Sequence, residues 1–377
     1  MLCIKGNARG GAWQDCGKPA SQKPRLPGLV RGPLQSGPWR RKTAAYLLQA
    51  CLSMVASLRK RGNTMKKILL STTMLALFAG AASAEVTLSG SGRFGLVYSD
   101  AVNDGESKTA LAYRLRINVN AKFEADNGVT YGGRIRFQDD NNGEAYFSPA
   151  MLYVEASGVR VEVGNANTAI DSVALMYNPE IGFTESSYGD PQGDFFSFSS
   201  GGYSDTRVGI YAAYSYAGVN LKASYVQADQ FDSTDDANET SIAADYTFGQ
   251  FTIAAAYADK GAGIADNYVT FVGAAYKIND VANVGLNYND NGIATFDNDN
   301  DPLTAEVAIG KTITLYGNYT INGITLGGYV SDSDVDGNDT AYGLGAAYDL
   351  GGATLAGAVH SGFGGETFAD LGVRMSF

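Results

Sequence analysis

The sequence predicts an all-β protein, folded as a closed 16-stranded antiparallel transmembrane β-barrel with a long third loop that folds inward. Apolar and polar residues alternate with a period of two from residue 85 onward, as in strands with one apolar and one polar face. Compact turn signals alternate with longer polar stretches between these segments. No stretch of this part is apolar enough for a membrane-spanning helix, so strands are its only candidate spans.

The second segment illustrates the alternation. One of its faces carries Tyr113 and Leu115, and the other carries Arg114 and Arg116. Residues 303–309 fit either the twelfth strand or the loop before it. The same pattern predicts sixteen strands, an even number that allows an antiparallel sheet to close, at 85–99, 109–125, 128–139, 149–156, 159–164, 207–216, 219–229, 239–248, 250–259, 267–277, 281–290, 308–321, 324–331, 340–350, 353–361 and 366–377.

The connections between strands are of two kinds. Compact ones such as Asn322-Gly323 suit tight hairpins, whereas longer acidic ones lie at 230–238 and 332–339. This asymmetry is typical of outer-membrane barrels, in which lipid covers the apolar faces and closure removes the unpaired edges. Tyrosines near strand ends are expected in an aromatic girdle at the membrane surface, among them Tyr257, Tyr319 and Tyr329.

Residues 65–84 have the composition of a signal peptide. Positive charge at Met65-Lys66-Lys67 precedes an apolar run at 68–80 and a small-residue cleavage site at Ala82-Ser83-Ala84. The run is shorter than the ~20 residues of a membrane helix. We therefore expect the mature barrel to comprise 85–377. Residues 1–64 are interpreted as a disordered, non-native upstream extension, and a genuine cytoplasmic or regulatory extension is the alternative.

From Glu85 onward the chain is acidic, with 14 Lys or Arg against 38 Asp or Glu, which gives 14 − 38 = −24. Little in it can neutralise phosphates, so nucleic acid is excluded as a partner. Its single histidine, His360, does not build a His-based triad. The series that begins at Asp332 resembles a calcium loop, but Gly343 occupies the position of the required bidentate Glu. We therefore expect neither an enzyme nor a resident cofactor.

Arginines concentrate in the first five strands. Alternation places six of them on the polar faces, where neighbours in a hairpin lie ~5 Å apart. An arginine on the lipid face at mid-bilayer costs ~2–4 kcal/mol, which favours the inner wall. We interpret these residues as one positive patch in a pore, with solvated charges of no special role as the alternative: Arg93, Arg114, Arg116, Arg134, Arg136 and Arg160.

Residues 165–205 form the longest segment without alternation, and an irregular segment of this length is usually functional. It carries many aromatic residues, which water outside the barrel would solvate poorly. Folded into the lumen, the segment places its rings on the wall and turns the acids Asp171, Glu180 and Glu185 toward the arginines. The opposed charges predict a transverse field at the narrowest point, which favours dipolar over apolar solutes.

The motifs EVTLSGSGRFG from Glu85, YRLR from Tyr113, VEVGN from Val161, YGLGAAYDLGG from Tyr342 and ADLGVRMSF from Ala369 resemble, in their order, those of alphaproteobacterial general porins of the purple-bacterial type. The resemblance implies a multi-pass barrel of the Gram-negative outer membrane, assembled as a homotrimer. It implies passive diffusion of small hydrophilic solutes and ions through a water-filled pore with a charged constriction.

The resemblance also assigns individual residues. It implies wall arginines at Arg93, Arg114 and Arg116 and loop acids at Asp171, Glu180 and Glu185. Arg134, Arg136 and Arg160 are assigned by alternation alone. The terminal Phe377, at the end of an alternating strand, resembles the signal read by the barrel assembly machinery.

Further partners and functions follow from the acidic loops. Loop carboxylates in this family can bind calcium, for which the sequence assigns no position, and external acids are expected to bridge through divalent ions to lipopolysaccharide. One alternative function is a solute-specific outer-membrane channel, which ligand block of the current would reveal. Another is an adhesin or receptor with a plugged lumen, which predicts no liposome swelling.

Overall fold

The computed structural model describes residues 84–103, 105–141, 145–195, 207–229, 238–296 and 305–377. The predicted extension at 1–64 and the predicted signal peptide lie outside the described residues, apart from Ala84. Within the described ranges no helix is long and apolar enough to cross a membrane.

Sixteen antiparallel strands of the described chain close into one barrel, as the alternation predicts. Each barrel strand pairs with the next barrel strand along the chain, and the first pairs with the last. Two further described strands lie outside the barrel. The strands in chain order are β1 (Glu85–Ser99), β2 (Thr109–Glu124), β3 (Thr130–Asp140), β4 (Tyr146–Ala156), β5 (Val159–Gly164), β6 (Val208–Tyr216), β7 (Val219–Gln227), β8 (Glu239–Phe248), β9 (Phe251–Asp259), β10 (Tyr268–Asn279), β11 (Ala282–Asp290), β12 (Ile293–Phe296), β13 (Ala305–Ala308), β14 (Lys311–Ile321), β15 (Ile324–Ser333), β16 (Ala341–Asp349), β17 (Ala353–Ser361) and β18 (Thr367–Ser376).

The strands β12 and β13 do not belong to the barrel. They pair only with each other, and β11 pairs directly with β14. The segment that the sequence left open therefore contains a strand of a separate hairpin, and the twelfth barrel strand begins at Lys311 rather than at residue 308.

The outer face of the barrel is apolar. Leu88, Leu111 and Leu344 are 71%, 75% and 73% exposed, and other large apolar side chains project at alternate positions around the barrel. Exposed apolar surface costs ~25 cal/mol per Å² in water, a cost that hydrocarbon removes. The outer face is therefore suited to lipid.

The aromatic girdle differs from the expectation at one tyrosine. Tyr257 and Tyr319 lie on the outer face, 39% and 48% exposed, but Tyr329 is 4% exposed and faces the lumen opposite Tyr316. Successive side chains of a strand point to opposite faces, so the outward position beside Tyr329 belongs to Val330, which is 51% exposed. Proximity to a strand end is therefore not sufficient to place a tyrosine on the outer face.

Tight turns close one end of the hairpins. Ser157 and Gly158 between β4 and β5 have φ angles of 50° and 82°, and Asn322 and Gly323 between β14 and β15 have 50° and 79°. Two successive positive φ angles define the two-residue turn whose twist matches that of antiparallel strands, and glycine adopts the second without strain.

A bulge in β4 sets the register between β4 and the arginines of β3. Arg134 of β3 lies opposite Met151, whereas Arg136, two residues on, lies opposite Ser148. Three residues of β4 therefore span two of β3, and the alternation of β4 shifts by one position at the bulge.

Candidate functional site

Loop 3, which we define as residues 165–207 between β5 and β6, packs on the inner face of the barrel over its described part, 165–195. Its Ala169, Ile170 and Met176 have no exposed surface. They pack against Phe271 of β10 and against small inward side chains of β8 and β9. Because alanines leave room there, the wall accommodates the apolar side of the loop.

Polar side chains of β7 and β8 hold the start of the loop. The Ser224 hydroxyl accepts a hydrogen bond from the Ala169 N–H at 2.9 Å, and the Ser241 hydroxyl accepts one from the Ile170 N–H at 3.2 Å. The Lys222 ammonium donates to the carbonyl of Ser172 and lies 2.8 Å from the Asp245 carboxylate.

Asparagines of the β11 region hold the middle of the loop. The Asn287 amide donates to the carbonyls of Leu175 and Asn178, both at 2.9 Å. The Asn291 side-chain oxygen accepts a bond of 2.9 Å from the Gln192 N–H. These amides satisfy backbone groups that would otherwise be buried without partners.

The tip of the loop is bound to β18 and β15. The buried Asp370 carboxylate accepts hydrogen bonds from the N–H groups of Phe183 and Thr184 at 3.0 and 3.2 Å, and one from the Thr184 hydroxyl. The Tyr329 hydroxyl accepts from the Tyr188 N–H at 2.9 Å and lies 2.9 Å from Nδ1 of His360.

The predicted arginines do line the inner wall, beginning with Arg93. Arg93 lies directly opposite Arg114 of β2 and Arg374 of β18. It donates to the carbonyl of Thr184, and its Nη1 lies 3.9 Å from the Glu185 carboxylate. The same carboxylate is 2.7 Å from Nη1 of Arg374. One acid at the loop tip thus contacts two arginines of neighbouring strands.

One arginine of β2 and one of β3 donate hydrogen bonds to neutral side chains. Nε of Arg116 donates to Gln138 at 2.6 Å, and Nε of Arg136 donates to Asn118 at 3.0 Å. Over the described ranges, no carboxylate lies within 4.0 Å of the cationic groups of Arg114, Arg116, Arg134 or Arg136. Their positive charge is therefore not compensated by direct ion pairs within this part of the protein.

Arg160 has different surroundings. Its guanidinium lies 2.9 Å from the Glu155 carboxylate and 2.7 Å from that of Glu162, and 3.7 Å above the centre of the Tyr153 ring. It also lies close to the tight turn at Ser157, near the end of the barrel. Two carboxylates compensate its charge, whereas the arginines of β2 and β3 have no such partners among the described residues.

The three predicted loop acids also occupy different environments. Glu185 contacts the wall arginines, whereas Asp171 accepts a hydrogen bond from the Tyr177 hydroxyl. Burial inside the barrel raises the pKa of Glu180 to about 8, and the Asp190 and Glu185 carboxylates act in the same direction. Burial raises the pKa of Asp190 to about 7.

Comparisons with known proteins agree on one family. A family profile described as Gram-negative porin matches residues 71–361. The porin of Fuscovulum blasticum is 45% identical over 303 residues, which are 78% of this chain and 100% of that protein. The chain belongs to the Gram-negative porin family. The porin of Rhodobacter capsulatus is 29% identical over 314 residues, again 78% of this chain and 100% of that porin.

A solved structure shares the fold. A triple mutant of the Rhodopseudomonas blastica porin matches with a TM-score of 0.72 at 42% identity, over 78% of this chain and 100% of that one. The predicted alphaproteobacterial porin family and the predicted barrel are confirmed. As a porin, the protein is a multi-pass β-barrel of the outer membrane that lets small hydrophilic solutes and ions diffuse passively through its pore. The family is one of channels.

Several residues of the porin site were not singled out from the sequence. The alternation of the last strand places Arg374 on the polar face, but its partner Glu185 is 189 positions away. The anchors Asp370 and Asn287 carry no local signal. One signal was available: β9 is apolar on both faces, with Ala254 and Ala256 inward, which indicates that something apolar covers the inside of this strand.

The described ranges contain no group of three or more His, Cys, Asp or Glu placed to hold a metal ion. Two acids of the 332–339 stretch accept hydrogen bonds from neighbouring parts of the chain. Asp334 accepts one from the Lys311 N–H at 2.6 Å, and Asp332 accepts one from the Thr340 hydroxyl at 3.2 Å.

Proposed function

We propose that loop 3 and the arginine wall form the constriction of the porin channel. The wall side consists of Arg93, Arg114, Arg116, Arg134 and Arg136, and the loop side of Asp171, Glu180 and Glu185. Arg160 belongs to the same inner wall but contributes little net charge, because Glu155 and Glu162 compensate it.

The proposal rests on the strands to which loop 3 is hydrogen bonded and on those to which it is not. Between residues 168 and 195 the loop is hydrogen bonded to strands from β6 round to β18 and β1, through groups such as Ser224, Asn287 and Asp370. In the part of the chain that the structure describes, no hydrogen bond or ion pair joins the loop to the arginines of β2 and β3. Solutes would therefore pass between the loop and these arginines.

The opposed charges then determine which solutes pass most readily. A field between cationic wall and anionic loop orients water and dipolar solutes, whereas an apolar solute gains nothing from it and displaces ordered water. Arg114, Arg116, Arg134 and Arg136 also raise the local concentration of anions, and the loop acids that of cations. The width of the gap sets the size limit.

The test is the reversal potential of the purified porin in a planar bilayer under a KCl gradient. Arg114→Gln combined with Arg116→Gln is expected to raise the permeability of potassium relative to chloride. Lys277→Gln is the matched control, since it removes one charge at the exposed end of β10, where Lys277 pairs with Asp280. An unchanged reversal potential in the double variant, or an equal shift in the control, would contradict the assignment.

We also propose that residues 65–84 are the signal peptide and that residues 1–64 are absent from the mature protein. The start of β1 at Glu85, directly after the small residues 82–84, supports this boundary. N-terminal sequencing of the protein extracted from outer membranes is expected to begin at Glu85. A sequence that begins upstream of residue 65 would support the alternative of a genuine extension.

The proposed partners follow from family membership. We propose a homotrimer, recognition of the exposed Phe377 by the barrel assembly machinery, and contact of the external acids with lipopolysaccharide, with calcium at loop carboxylates as the candidate ion. We also propose that the porin acts as a channel and not as an enzyme. The mass of the porin in detergent, measured by light scattering, tests the trimer, and Phe377→Ala tests the assembly signal through the yield of folded barrel.

A further inference from the structure

The inner wall at β2, β3 and β4 holds a buried cation with an unused donor. Arg136 is 7% exposed and lies opposite Asn118 of β2 and Ser148 of β4. Its Nε donates to Asn118 at 3.0 Å, but its Nη1 is buried and has no hydrogen-bond partner among the described residues. A charged donor left unpaired is more costly than a neutral one, so this group favours an anionic partner.

A second unused polar group lies directly across the strand pair. Ser148 is fully buried, and in the part of the chain that the structure describes its hydroxyl has no hydrogen-bond partner. The bulge in β4 places this residue opposite Arg136. Residues opposite each other in adjacent strands have Cβ atoms ~5 Å apart, so both unused groups belong to the same small patch of the inner wall.

The surroundings of this pair are cationic. Arg134 precedes Arg136 on the same face of β3, and Arg116 lies opposite Gln138, the next inward residue. The Asp140 carboxylate, the next acid on the same face of β3, accepts a hydrogen bond of 2.8 Å from the Gln138 amide. Within the described ranges none of these three arginines has a carboxylate within 4.0 Å. An anion here would reduce the repulsion among them.

We propose that Arg136 and Ser148 form a binding site for an oxyanion group, a phosphate or a carboxylate, of solutes that cross the pore. The planar guanidinium donates in the geometry that oxyanions accept, the serine hydroxyl adds a neutral donor, and Arg116 and Arg134 supply long-range attraction. The inference rests on the proposed function, because it requires this wall to line the open channel. It adds a substrate class: small phosphorylated or carboxylated solutes bind on their way through.

Binding predicts saturation, which free diffusion does not. In planar bilayers with the full porin, we expect chloride conductance to fall in a saturable manner as inorganic phosphate replaces part of the chloride at constant ionic strength. A parallel series with succinate distinguishes the two oxyanion classes. Saturation with either one supports the site, and the one with the lower half-saturating concentration identifies the preferred group.

Two variants test the assignment to residues. Arg136→Gln is expected to raise the half-saturating concentration by about tenfold or more, the effect of losing one charge-assisted hydrogen bond. Ser148→Ala keeps all charges and is expected to raise it by a smaller factor. Lys277→Gln, at the exposed end of β10 away from this wall, is the control, and a heat-dependent shift in gel mobility shows that each variant forms a barrel.

Two outcomes would overturn the inference: conductance strictly proportional to the concentration of each anion, or an unchanged half-saturating concentration in Arg136→Gln. Either failure is distinct from a failure of the proposed constriction. The constriction is tested by the reversal potential of the Arg114 and Arg116 variant, which can shift as expected while no anion saturates the channel.

Discussion

Arg374 donates a hydrogen bond of 2.7 Å from its Nη1 to Oε1 of Glu185, so the last strand of the barrel holds the loop acid that also faces Arg93. The pair joins residues 189 positions apart. It brings a loop carboxylate into contact with the arginine wall. The charge at this point of the pore therefore depends on the balance of one acid and two arginines.

We predict that Glu185→Gln and Arg374→Gln shift ion selectivity in opposite directions. The first leaves two arginines without their acid and should favour chloride, and the second removes one cation and should favour potassium. Reversal potentials in a KCl gradient measure both. Stability should change little, since partly exposed ion pairs contribute about 0.2–1 kcal/mol. Shifts of the same sign would contradict the charge balance described here.

We predict that Asp370→Ala loosens the tip of loop 3 without opening the barrel. The carboxylate accepts bonds from two loop N–H groups, those of Phe183 and Thr184, and from the N–H of Ala358. Each hydrogen bond to a charged group contributes about 1.5–3 kcal/mol. Single-channel recordings should show increased open-channel noise, whereas Asp280→Ala, at an exposed turn, should not. A quiet channel in Asp370→Ala would show that other contacts are sufficient to hold the tip.

The sequence was sufficient to predict the barrel because its signal is local and repeated. Alternation identified all sixteen barrel strands, mostly to within a few residues of their bounds, and it placed the wall arginines on the inner face. It failed for the hairpin of β12 and β13, whose four-residue strands are too short to show a period. The bulge in β4 was not predicted either, since a shift of one position is hard to distinguish from an irregular position within a single strand.

The course of loop 3 was predictable only in outline. Its aromatic content indicated that it folds inward, but the anchors are side chains such as Asn287 and Asp370, more than 100 positions away in sequence. Their types are common in any water-facing wall. Which carboxylate meets which arginine depends on the register of the strand pairs and on the bulge, and local patterns do not contain that information.

We predict that Asn287→Ala frees the middle of loop 3. The two hydrogen bonds from the Asn287 side chain to the carbonyls of Leu175 and Asn178 are lost. Each carbonyl that stays buried without a new partner costs about 1–3 kcal/mol. Hydrogen exchange of the loop in detergent-solubilised porin should accelerate. Asn283→Ala is the matched control on the same strand and face, since no described hydrogen bond joins Asn283 to the loop. Equal protection in both variants would argue against Asn287 as an anchor.

We predict that cation selectivity rises with pH between about 6 and 9, a range in which ordinary carboxyl groups no longer titrate. The pKa values of Glu180 and Asp190 are raised to about 8 and about 7, so both carboxyl groups are partly protonated at neutral pH. As the pH rises through these values each group loses a proton, the loop gains negative charge, and potassium becomes more permeant than chloride. Reversal potentials in a KCl gradient at successive pH values measure the change. Glu180→Gln should abolish the upper part of the transition and leave the part near pH 7, which belongs to Asp190. A transition confined to about pH 4–5, the range of ordinary carboxylates, would show instead that water in the pore solvates both groups fully.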